Sequence, residues 1–412
     1  MPSRASHLLI SFCNTTIGAP SLALLDLEAW SLSVLEVPDA VATERATGLA
    51  MSDAHLFVLT TTATMPPGDA PQERRPSGLW VFDREDVSVV ARHTLSRVYD
   101  AHSMLVGPDG LDVVSTGTDE VIRVTFRGSE VSGEEVLWRP EADGPRADVH
   151  HLNGICRWND RVIVSGFGKK TGRLWDSAHA GFAAAIPSGE IVAHAKHPHS
   201  VMALGDTLAY CDSASAELRV LGSDRVVSTP GYARGLCQIG STVFIGTSRG
   251  RKTSKSTGLL TNRADPGTTT GRCAIVCCSL DPLSMESVID LEPMGLEIYD
   301  ILPIGEVDRW PVVPQTLWRD RMLHGLLAGL DERDATTVWL HTEVAARDES
   351  IGWLHAAVAD RDRRIEELHA EVAARDRAVE RLQFEIAERV NHSTDSRGEA
   401  VASVPPSGSA VS

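Results

Sequence analysis

Residues 196–206, KHPHSVMALGD, set two histidines either side of a proline at the head of an apolar run. Imidazoles there suit a metal, an acid–base pair or a turn. The stretch has relatives: YDAHSM (99–104), HHLNGI (150–155), GYARGL (231–236) and EIYDILPIG (297–305). His102, His199 and either His151 or His150 could offer three imidazoles with an open position, a set suited to a divalent Zn, Mn or Fe. Asp100, Glu297 and Asp300 could orient those rings. Arg234 could hold a carboxylate or phosphate, and Tyr299 could act as acid, base or hydrogen-bond donor. His197 and Asn153 complete the polar set.

Aligning these stretches gives one key position per unit, called p: Thr47, His102, Asn153, His199, Arg234 and Tyr299. Two residues earlier stand Arg45, Asp100, His151, His197, Tyr232 and Glu297. Two residues later stand Leu49, Met104, Ile155, Val201, Leu236 and Ile301. Polar p and p−2 with apolar p+2 describe a strand passing from a polar mouth into a packed interior. The small residue at p+1 suits close backbone approach. Each unit continues as strand, tight turn and further strands, and the last lacks its second strand. LLISFCNTT, SLALLDLEAW and LSVLEVP at the N-terminus supply what is missing. Repeated four-stranded units predict an all-β fold, a six-bladed β-propeller closed by N-terminal strands, with seven blades as the alternative.

Loops after the second strands lie on the mouth's side of the ring. Three are long: 62–77, 167–180 and 249–272. The third carries Arg249, Arg251, Lys252, Lys255 and Arg263 with no acid before Asp265; the second carries Lys169, Lys170 and Arg173. The chain is acidic, with net charge −17. Cations gathered beside a concavity therefore favour a small anionic ligand, with Arg249 and Lys252 in the ligand set. Against this stands the plain alternative that a wet channel mouth lined by solvated loops needs no chemistry.

The acidic balance speaks against nucleic acid as a partner. No apolar run reaches membrane-spanning length, and MPSRASHLLISFC does not read as a signal peptide. Seven cysteines without framework spacing fit a reduced, cytoplasmic compartment. GTSRGRKT fails phosphate-loop spacing, CAIVCC reads as buried strand, and no G-x-S-x-G elbow accompanies the histidines.

Beyond about residue 306 the pattern changes. The expected division is propeller 1–306, connector and helix 307–336, coiled coil 337–390 and a disordered tail 391–412. A 14-residue repeat puts Val344, Ile351, Val358, Ile365, Val372, Val379 and Ile386 at heptad position a, and Leu340, Leu354, Leu368 and Leu382 at d. Arg347, Arg361 and Arg375 take the alternate d positions, each followed by Asp. β-branched a with Leu d predicts a parallel two-stranded coil and a homodimer.

YDAHSM, HHLNGI, HPHS, GYARGL, GTSRGRK and EIYDILPIG together resemble an uncharacterised bacterial family, a propeller-like domain of unknown function, over roughly residues 5–306. The resemblance implies the fold and supplies no catalytic residues. The heptads resemble coiled coils of actinobacterial glycosyltransferase-type proteins, which implies a link to cell-surface glycan biosynthesis. Three readings follow. In the first, a cytoplasmic propeller binds a small anion at a polar mouth. In the second, a metal-dependent lyase or hydrolase uses the same residues, with Arg234 and Tyr299 catalytic and His102, His151 and His199 on the metal. In the third, the protein is a scaffold for a protein partner.

Overall fold

The computed structural model describes residues 5–13, 19–37, 44–62, 76–172, 175–249, 271–305 and 307–401. The chain divides into two units, 1–325 and 326–412.

Among the described residues the first unit has six antiparallel sheets, each led by an inner strand: Glu44–Met51, Ala101–Gly107, Leu152–Trp158, Pro198–Leu204, Tyr232–Ile239 and Ile298–Ile304. We number the blades one to six in that order. Each inner strand touches the next, and the sixth returns to the first, so the ring closes. In blade six Ile298–Ile304 pairs with His7–Phe12, which continues into Leu22–Asp26 and Ser31–Leu35. The N-terminal strands complete the last blade as expected, and this removes an open sheet edge.

Two boundaries differ from expectation. Val312–Pro314 adds a fifth strand to blade six by pairing with Ser31–Leu35, so the propeller runs past residue 306. The helix spans Gln315–Val401 without a break near residue 336, and it continues past 390. The first proline after Pro314 is Pro405, so no residue in that span lacks the N–H a helix needs. Residues 402–412 lie outside the described residues. Among the described residues no helix is long and apolar enough to cross a membrane.

The apolar cores lie between neighbouring blades. One joins Leu8, Ile10 and Phe12 of blade six to Cys237, Phe244 and Ile275 of blade five. Cysteines 211, 237, 273, 277 and 278 are packed this way, and burial holds the Cys211 and Cys278 thiols up at about 12. They are core residues, not nucleophiles.

A buried hydroxyl crosses each of the six junctions. Ser11 donates to Thr47 O, Thr116 to Leu152 O, Ser165 to His199 O, Ser213 to Ala233 O and Ser248 to Ile298 O; Ser77 instead accepts the Ala101 N–H. These hydroxyls are 0–3% exposed. A strand bent at the axis leaves carbonyls without a ladder partner, and a small hydroxyl from the blade beside it satisfies one there. Ser165 does double duty, since its Oγ also accepts the Gly154 N–H at 3.0 Å. Ser165→Ala leaves both groups unsatisfied. Thermal and denaturant unfolding of the variant should show a loss of about 1–3 kcal/mol; an unchanged midpoint would remove the hydroxyls from the account of ring stability.

Candidate functional site

The site begins with a fault in the ladder. In each of the first five inner strands, register with the second strand breaks across p and p+1: between Ala46 and Leu49, Ala101 and Met104, Leu152 and Ile155, Pro198 and Val201, and Ala233 and Leu236. In blade six Asp300 pairs with Ser11 and Ile298 with Phe12, so Tyr299 is skipped. A bulge re-aims the side chain it carries. Five of the p residues, His102, Asn153, His199, Arg234 and Tyr299, are gathered in one cluster this way, while Thr47 Oγ1 bonds Leu59 O in its own blade.

Backbone strain reinforces this in blades two, three and four. Asp100, His151 and His197, all at p−2, have φ of 48°, 53° and 52°. The left-handed region costs an L-residue about 1–2 kcal/mol, so packing must hold them there. Crowding explains the small p+1 residue: a Cβ on Gly48 would stand 2.9 Å from Ser103 Cα, and one on Gly154 would collide with the His199 carbonyl.

The polar ring is more enclosed than a wet mouth predicts. Thr47, His102, Asn153, His199, Arg234 and Tyr299 are all at most 9% exposed. They cover one another. His102 meets His151 and Tyr299 edge-on, both with centroids 5.1 Å apart. The Arg234 guanidinium carbon lies 5.2 Å from both the Tyr299 and the Tyr232 ring. Tyr232 meets His199 at 4.9 Å. Phe167 closes the circle, 5.0 Å from His199 and 4.5 Å from His151.

Hydrogen bonds fix which nitrogen each imidazole presents. Asn153 Nδ2 donates to His151 O at 2.6 Å, which leaves its Oδ1 to accept from His102 Nδ1 at 2.6 Å. His151 Nδ1 faces Asp148 at 3.0 Å. Ser213 spends its proton on Ala233 O, so it accepts from His199 Nδ1 at 3.2 Å. The Nδ1 of His102 and of His199 is thus a donor, and the neutral His199 ring presents an Nε2 lone pair. His199 Nε2 has no hydrogen-bond partner, and neither have Arg234 Nε and Nη1. His102 Nε2 lies 3.6 Å from Asp100 Oδ2.

Burial sets the charge states. It lowers His102 and takes His199 well below the ordinary range, with Arg234 adding to the effect. It lowers His151 to about 4. It pushes Asp148 well up, helped by the neighbouring carboxylates of Asp119 and Asp100.

Several expected residues have other work. Asp300 accepts the Leu49 N–H at 3.0 Å and the Ile301 N–H at 2.9 Å, so it ties blade six to blade one rather than serving as a free ligand group. Burial raises its carboxyl to about 7 against those two donors; its residual surface exposure argues for a smaller rise. His197 bonds Trp175 O through Nε2 at 2.9 Å and stacks on Phe167 at 4.4 Å, which holds the loop in place. Of the two adjacent histidines, His151 enters the cluster, while His150 faces Asp119 and Glu141. Lys169 pairs with Glu141, and Lys170 Nζ lies 3.9 Å over Trp175. Arg249 is exposed. Arg173, Arg251, Lys252, Lys255 and Arg263 lie outside the described residues. Among the described residues no group of three or more His, Cys, Asp or Glu side chains that could hold a metal ion is found.

Phe167, Trp175 and Asp148 were missed from sequence. Phe167 directly follows strand Arg161–Gly166 at the mouth end, and that placement was the available signal.

The family described as a domain of unknown function, DUF4915, matches residues 5–313. The chain belongs to the DUF4915 family. The match ends within the added strand Val312–Pro314, so it reaches into the fifth strand of blade six. No curated protein matches the sequence. Among solved structures, a chain of the nidogen/laminin complex is similar at 11% identity and TM-score 0.47, over 72% of this chain and 97% of that one. A proposed 6-phosphogluconolactonase from Bacteroides fragilis is similar at 9% identity and TM-score 0.45, over 73% and 98%. Likeness at that level carries no argument about what the DUF4915 domain binds.

Neutral buried histidines give a signed pH dependence. In the unfolded chain His199 takes a proton near pH 6.5; in the folded protein it does so well below that. The unfolded state therefore binds more protons as pH falls, and folding stability falls with it. Asp300 acts in the opposite direction, because its folded value lies above its unfolded one and its contribution fades as pH rises. Denaturant unfolding from pH 7 to 5.5 should show His199→Gln losing about 1 kcal/mol less than the parent. Parallel curves would mean that His199 takes its proton over the same pH range in the folded and unfolded states, which overturns its neutral burial.

Proposed function

We propose that the DUF4915 domain binds a small anionic molecule, carrying a carboxylate or phosphate, at the Arg234–His199–Tyr299 side of the ring mouth. One observation carries this reading: Arg234 is 9% exposed with Nε and Nη1 unpartnered. Guanidinium stays charged at any physiological pH, and a buried donor without an acceptor is costly. An anion supplying two oxygens satisfies both donors at once. His199 Nε2, also unpartnered, becomes a second donor once it takes a proton. The Tyr232 and Tyr299 rings on which the guanidinium packs hold it in place. Lys170 and Arg249 add attraction from the loops. In this reading the protein is cytoplasmic and self-associates through residues 337–390.

A second reading keeps the metal. In all three imidazoles Nδ1 faces an oxygen, as in metal-binding histidines with an outer hydrogen-bonding shell. Rearrangement would be needed to bring them together on one ion.

The two readings predict opposite pH slopes. An anion favours protonated histidine, so its affinity rises as pH falls; a metal competes with the proton, so its affinity falls. Calorimetric titration of the full chain with inorganic phosphate, a sugar phosphate and a dicarboxylate, at pH 6.0 and 7.5, reads the slope. The expected result is binding that tightens severalfold at pH 6.0 and is lost in Arg234→Ala while the unfolding midpoint stays near the parent's. Binding unaffected by Arg234→Ala sinks the anion reading. Near-stoichiometric Zn²⁺ uptake that weakens at low pH and is lost in His102→Ala/His199→Ala replaces it with the metal.

A further inference from the structure

Between residues 341 and 390 the C-terminal helix leaves its whole apolar stripe uncovered. The seven a positions from Val344 to Ile386, with Leu354, Leu368 and Leu382 at d, are each 41–61% exposed. A run of that length is too regular to be scattered surface apolar residues.

We propose that a second copy of the same stripe covers it, as a parallel, in-register two-stranded coil whose register is set by Arg–Asp layers. The proposal rests on the self-association reading and adds to it the register and the Arg–Asp layers that set it. β-branched a with Leu d suits the parallel pair. The charges select the register. Arg347, Arg361 and Arg375 stand at d, and Asp348, Asp362 and Asp376 follow at e. Within one helix Arg361 reaches its neighbour Asp362 at 3.2 Å, with side chains 68% and 59% exposed. Adjacent residues do not share a helix face, and a pair so exposed contributes little.

In a parallel coil the residue at d packs beside the residue at e of the other helix. Each arginine of one copy then meets the aspartate of the same layer in the other, while its stem stays along the apolar seam. Each layer holds two guanidinium groups and two carboxylates and is neutral. A slip of one heptad puts every arginine opposite a leucine at d, Leu340, Leu354, Leu368 or Leu382, and separates it from the carboxylate. An antiparallel pairing sets arginine against a β-branched a residue and aligns e with e, which again removes the match. The layers recur every 14 residues, so the next permitted register is 14 residues away and forfeits a large part of the seam.

The test uses the full chain. Sedimentation equilibrium should give a dimer; a monomer at tens of micromolar overturns the self-association reading and the proposal with it. Leu354→Cys, at d, should cross-link on mild oxidation far faster than Ala356→Cys, at f, with the parent as background, because only d residues come within disulfide reach across a parallel seam. A dimer that cross-links equally at both positions overturns the direction and register alone. Asp348→Asn/Asp362→Asn/Asp376→Asn should weaken the dimer about tenfold or more at low salt and flatten its salt dependence. A triple variant that matches the parent overturns the role of the charged layers.

Discussion

A β-ladder alternates its side chains between two faces, and in each inner strand of this ring that alternation is broken at one residue. The break sits at p in every blade, from Thr47 round to Tyr299. Without it, the p side chain would follow the alternation into a blade face. With it, five unrelated side chains from five blades are gathered in one cluster, and the strand resumes its apolar pattern at p+2. The Ser and Thr hydroxyls at the junctions lie beside the same break, each bonding a backbone group at p or p−1 of the neighbouring inner strand. Fold closure and site assembly are therefore one event.

The ring's interior makes charge scarce. Histidines at 102, 151 and 199 are driven towards the neutral form, and the Asp148 carboxyl towards the protonated one. A guanidinium cannot follow, because it does not lose its proton in a protein. Arg234 thus keeps a charge where its neighbours lose theirs, and aromatic faces substitute only in part for an acceptor. Its unpartnered nitrogens, the unpartnered His199 Nε2 and the left-handed residues at 100, 151 and 197 all lie on one side of a single ring. Strain and unpartnered polar atoms at that ring are the observations on which the proposed anion site rests. The helical unit shows the same kind of incompleteness in apolar form, a seam exposed along residues 341–390.

Much of this was written in the chain. Period-two patterning with recurrent turns yields the blades; the missing second strand near residue 300 points to the N-terminus; polar p and apolar p+2 locate the mouth. These are local properties, carried by side-chain type and spacing. The strand at 312–314 was not legible, because three residues carry no period and an edge partner, Ser31–Leu35, lies almost the whole chain away. The helix's extent past residue 390 was also missed, since a polar composition was taken for disorder where no proline interrupts.

Residue type alone determined that a propeller would gather histidines, an arginine and a tyrosine at one end. Tertiary structure decided what each does there. Asp300 and Asp148 are both carboxylates near the axis, yet one ties two blades through backbone N–H groups and the other orients His151. His150 and His151 are adjacent in the chain, yet the left-handed turn at 151 sends one into the cluster and the other to Asp119. Sequence specifies which groups exist and roughly where along a strand they lie. Direction, burial and the choice of partner depend on contacts between blades tens of residues apart, and those contacts exist only once the ring has closed.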